Sequence, residues 1–172
     1  MSQPSRIKAV ADLIDRLNAA IGRAAAWLCL VVVVVQFAVV ALRYVFGIGS
    51  IWLSESVIYA HAALFMLAAA WTLQVGGHVR VDVFYAGAEQ RARALVDLLG
   101  TLFLLLPFML VLVWYAFPYV LRSWVILEAS PETSGIPAVF LLKTLIPLFA
   151  VLMALQGVAQ AIRAFDVLHA AR

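Results

Sequence analysis

Four long apolar stretches dominate this chain, and the first of them, Ala24 to Ala41, contains no charged residue. The hydrocarbon core of a bilayer is about 30 Å thick, so a crossing helix needs roughly 20 mainly apolar residues. Stretches of that length recur here with short polar connections between them, which restricts the chain to an all-α polytopic membrane fold. A charged fraction of 12% against 66% hydrophobic residues excludes an ordinary soluble domain. The 172 residues leave too little chain outside four spans for a separate extramembrane catalytic domain.

The expected architecture is one membrane domain, 1–172, with spans at about 24–45, 51–75, 98–120 and 137–161. Gly47 and Gly49 end the first span, and Gly76-Gly77 ends the second, which carries Trp52 and Trp71 near its ends as interfacial anchors. Helical pattern for the third begins near Glu89 and continues to about Trp124, longer than one crossing requires, and Pro107 in its middle predicts a kink. Before the first span, Ile7, Val10, Ala11, Ile14, Leu17 and Ile21 recur at three- and four-residue spacing opposite Arg6, Lys8, Asp12, Asp15 and Arg16. That pattern predicts a separate short amphipathic helix lying in the interface. A cleaved signal peptide competes with it, but the two acids, the length before the apolar run and the following Arg43-Tyr44 argue against cleavage.

Nine Lys and Arg residues fall in the amino terminus, the central connection and the tail, against three (Arg43, Arg122 and Lys143) on the other side. The positive-inside rule then puts both termini in the cytoplasm. The net charge of +3 is spread over span ends instead of forming a basic face, so no nucleic-acid partner is implied. Cys29 is the only cysteine, which excludes an intrachain disulfide and a cysteine metal cluster. No cofactor is expected.

Polar residues within or beside the spans are the candidate functional groups, because lipid tolerates them only when paired or facing water. Glu55 lies one turn inside the second span, and a hairpin could bring it to Arg43; a contact to a partner subunit and a coupling carboxylate in a stand-alone four-span carrier or exporter are the other readings. Lys143 can snorkel to the interface. His61 is mid-span, but haem ligation would want histidines at matched depth on two spans. Ser56, Ala60, Ala63 and Ala70 form a small-residue face on the second span that permits close helix approach. In the segment from His78 to Val83, His78, Arg80 and Asp82 alternate with valines; it has too few ligands for a metal and suits a salt-bridged turn or a docking element. The loop Arg122 to Ile136, with Trp124, Glu128 and Glu132, faces outward.

In this order, Arg43-Tyr44-Val45-Phe46, Trp52-Leu53-Ser54-Glu55, Gly77-His78-Val79-Arg80-Val81-Asp82 and Leu141-Leu142-Lys143 resemble the small integral-membrane subunit (DctQ type) of the tripartite ATP-independent periplasmic, or TRAP, transporters. Two features depart from the usual pattern: one acid in Ser54-Glu55-Ser56 where many members have two, and alanine in Leu67-Ala68-Ala69-Ala70 where glycine is common. The resemblance implies four spans in a bacterial inner membrane and no enzymatic activity. It also implies two partners, a large membrane subunit that moves an organic acid with a sodium gradient and a periplasmic binding protein that delivers it. The chain itself has no P-loop, no inverted repeat and no broken half-helices of the sort that build a transport site. A scaffolding role for the large subunit follows, with Trp124, Glu128 and Glu132 as binding-protein contacts.

Overall fold

A computed structural model describes residues 6–78 and 87–170. Four helices account for nearly all of them: α1 (Arg6–Val45), α2 (Ile51–Gln74), α3 (Gln90–Val125) and α4 (Val139–Ala170). Each is long and apolar enough to cross a membrane, and there is no strand among the described residues. The amino terminus of α1 and the carboxyl end of α4 share one end of the bundle. The α1–α2 and α3–α4 connections share the other, called the loop end below.

The separate amphipathic helix expected before the first span is not there, because residues 6–23 run without a break into the span as part of the 40-residue α1. No proline interrupts that junction, and Ala24-Ala25-Ala26 are strong helix formers. The inward face also differs from the expected one. Ala11, Ile14, Asn18, Gly22 and Ala25 are buried at three- and four-residue spacing, whereas Ile7, Val10 and Leu17 are exposed. Ala11 and Ile14 pack on Ala159, Leu155 and Ile162 of α4, so a partner helix holds this segment.

Helix ends follow local chemistry. Ser50 caps α2 by accepting a bond from the Leu53 amide at 3.3 Å. At its other end Gly76 takes φ +69°, which lets the Gly76 amide reach the Leu73 carbonyl and the Gly77 amide reach the Thr72 carbonyl. Within α3 the irregularity expected at Pro107 takes the form of a π-helical turn over Thr101–Leu105, just before the proline. Proline lacks an amide hydrogen and crowds the carbonyl four residues earlier, and the widened turn relieves that crowding.

Helix α4 is the central element, in contact with α1, α2 and α3. Its Ala150, Leu152 and Met153 form the core with Ala70 of α2 and Met109 of α3. Of the small-residue face anticipated on α2, only Ala70 is fully buried; Ser56, Ala60 and Ala63 are half-buried. Close approach depends instead on Gly22, where an added Cβ would lie 2.4 Å from the Trp71 Cβ. Outward faces stay apolar and open: Trp27, Phe37, Trp114 and Tyr115 are each more than 70% exposed. In water such surfaces would aggregate, while in lipid they are the expected exterior.

Candidate interaction site at the loop end

The residues singled out near the loop end converge, but on different partners from those expected. Glu55 does not pair with Arg43. Its carboxylate accepts a bond from the Ser130 hydroxyl and one from the Ile136 backbone amide at 2.6 Å, both in the α3–α4 connection. The reason is reach: α2 presents Glu55 toward α4, and the connection folds back so that its own unpaired amide finds the carboxylate. Ser130 also accepts from the Glu132 amide at 3.1 Å, and the Ser130 amide donates to the Ile136 carbonyl. Residues 130–136 therefore form a small closed loop strapped to α2. Gly135 is required there, since a Cβ would come within 2.3 Å of Ser130 Oγ and 2.8 Å of Glu55 Oε1.

A second set of contacts fixes the same connection to α4. Lys143 Nζ bonds Glu128 Oε2 at 2.5 Å and sits 4.2 Å from the Tyr119 ring centroid, leaving its side chain 17% exposed. The bond from Lys143 holds the Glu128 carboxyl below its ordinary pKa. Lys143 is thus a half-buried anchor tied to Glu128. Trp124 donates from Nε1 to Thr144 Oγ1 at 2.9 Å and meets Phe140 edge-on. Trp124 and Glu128 are accordingly engaged inside the subunit, and Glu132 is the acid left exposed. Across from it, Arg43 is exposed and makes no ion pair with any described residue. The two line one open groove of about 400 Å³ with Ser54, Glu55 and Ile58.

The remaining candidates lie elsewhere. Trp52 is 55% exposed at the start of α2, and His78 is exposed just past its end. Arg80 and Asp82 lie outside the described residues. His61 is exposed beside Phe65, and no group of three or more potential metal ligands occurs among the described residues.

One cluster escaped sequence reasoning. Where α1 and α4 meet near the termini, Asn18 Nδ2 donates to Gln156 Oε1 at 2.7 Å, and Gln156 Nε2 donates to Asp15 Oδ1 at 2.9 Å. Arg163 bonds Asp15 and reaches Asp12 at 3.4 Å, and Lys8 pairs with Asp166 at 3.5 Å. Asn18 and Gln156 are essentially fully buried. The available signal was two lone amides on otherwise apolar helical faces, since such groups in a membrane bundle seek one another.

Among the curated proteins no relative matches this chain. Residues 32–167, which take in the last third of α1, all of α2 and α3 and nearly all of α4, match the family model of the DctQ component of tripartite ATP-independent periplasmic transporters. The match covers well over half the chain and joins the strapped loop, the α2 helix and the α4 core in one alignment, so the protein belongs to the DctQ family of TRAP transporter components.

Proposed function

We propose that this multi-pass membrane protein is the small subunit of a TRAP-type secondary transporter. It sits in the bacterial inner membrane as one membrane domain with both termini cytoplasmic, and it scaffolds the large subunit during sodium-coupled uptake of an organic acid delivered by a periplasmic binding protein. The observation that carries this reading is the family match over residues 32–167. Physical support comes from the open apolar helix faces, which offer a partner helix extensive packing without a polar pathway between them. Trp52 on α2, with His78, Arg80 and Asp82 just beyond it, is assigned to the large-subunit contact. Arg43, Glu55, Lys143 and the α3–α4 connection are assigned to the periplasmic face. A stand-alone carrier coupled through Glu55 is disfavoured by the occupation of that carboxylate with loop bonds at one end of the bundle.

Copurification tests the reading. Tagged large subunit should bring this chain down with it, and membranes lacking the chain should lose both the complex and binding-protein-dependent uptake. Substrate flux through liposomes holding the purified chain alone would refute it. An enzyme tag fused after residue 172 should report a cytoplasmic location.

A further inference from the structure

The α3–α4 connection is held more firmly than its role as a link between two helices requires. Glu55 binds it at two points, Gly135 permits the close approach, and Lys143 and Thr144 anchor the approach to it through Glu128 and Trp124. What this leaves outward is a short exposed tip, Pro131–Ser134, and the groove between Glu132 and Arg43. Both rim charges are exposed, of opposite sign, and without an ion-pair partner among the described residues. A rigid rim bearing one free cation and one free anion suits a protein surface that offers the complementary pair, because fixed charges at a rim set orientation and encounter rate. A preorganised loop also avoids the entropy cost of ordering on contact.

Building on the TRAP reading above, we infer that the Arg43–Glu132 groove is the docking face for the periplasmic binding protein, with Glu55 as the positioning residue that holds the strap in its docking conformation. The binding protein would present an acidic side chain to Arg43 and a basic one to Glu132. Trp124 and Glu128, expected from the sequence to make this contact, instead support the strap from within.

The test uses the assembled transporter in liposomes, with uptake measured as the binding-protein concentration is varied. E132K and R43E are each expected to raise the half-saturating concentration of binding protein by about fivefold or more at low salt, with the difference shrinking as salt is added. E55A and G135A, which release the strap by different routes, should raise it similarly. Hydrogen exchange at the Ile136 amide should accelerate in both. Unchanged half-saturation in E132K and R43E would overturn the docking face. Faster Ile136 exchange with unchanged half-saturation in E55A and G135A would overturn the positioning role. A wild-type chain that recruits no large subunit would instead overturn the TRAP reading beneath both.

Discussion

Lys143 and Glu128 illustrate how one residue's environment is set by another's reach. The lysine lies one turn into α4, where a lone charge would be costly, and the glutamate is brought to it by the turn that ends α3. Because the folded Glu128 carboxyl has a lowered pKa, the pair's contribution is fully present above the ordinary carboxylate value and is lost as pH falls through the lower folded value. The melting-temperature gap between wild type and K143M should therefore be open at neutral pH and narrow as the pH falls below the ordinary carboxylate range. A gap that does not vary with pH would contradict the pairing. The turn that delivers Glu128 is itself strained. Leu127 has φ +47° in the left-handed region, where its amide bonds the Trp124 carbonyl and the Glu128 amide bonds the Ser123 carbonyl at 3.0 Å. Glycine occupies the corresponding position of α2 at Gly76. L127G is expected to raise stability by about 1 kcal/mol and G76A to lower it by about the same, measured by unfolding in mild detergent.

Between elements, the closest approaches and the buried amides decide which helices stay together. Gly22 meets the Trp71 Cβ, an atom fixed to the α2 backbone that cannot swing away, whereas the one contact under 3.0 Å at Gly157 is with the flexible end of Leu105, with Thr101 and Leu106 side-chain methyls farther off. G22A should therefore destabilise the fold by about 1–3 kcal/mol and G157A by clearly less. Equal costs would show that the α1–α2 contact is softer than its geometry. At the α1–α4 contact, N18L or Q156L alone strands a buried amide and should cost about 1–3 kcal/mol. The double variant N18L/Q156L should recover part of that loss, since apolar groups then replace both members of the Asn18–Gln156 bond while Asp15 still loses the Gln156 donor and keeps Arg163. A cycle with no coupling between the two positions would count against the bond.

For the whole molecule, the length of α1 sets the arrangement. Forty helical residues extend about 60 Å, roughly twice the hydrocarbon core. The charge-free stretch that ends near Arg43 begins after Arg23, so the first turns of α1 project beyond the core alongside the end of α4, held by Asp15–Arg163 and Lys8–Asp166. In a C29S background, L13C should react readily with a water-soluble maleimide, whereas native Cys29 should be protected by lipid. Protection of L13C would instead place that segment flat in the interface, as its periodicity first suggests. The same projection explains why the bundle is asymmetric: one end is a strapped, compact loop region and the other a polar helical stalk.

Helix number and the glycine breaks were legible along the chain because each depends on local hydropathy, length and backbone freedom. The long third helix and the end of α2 at Gly76 are examples, and the ordered motifs, with Gly77-His78-Val79-Arg80-Val81-Asp82 among them, carry the family resemblance in the sequence itself. Partner choice was not legible in the same way. Glu55 has Arg43 at a plausible depth in sequence, yet its bonds go to Ser130 and the Ile136 amide, more than 70 residues away. The buried face of α1 rotates away from the one its apolar periodicity suggests, since α4 offers Gln156 and Arg163 to Asn18 and Asp15. Segment polarity is a one-dimensional property, so the sequence by itself determined that this is a four-helix membrane protein of the DctQ type. Rotation and register between helices are set by packing and by which buried polar groups meet, so only the tertiary structure decided which charges are consumed inside the subunit and which, Arg43 and Glu132, remain for another molecule.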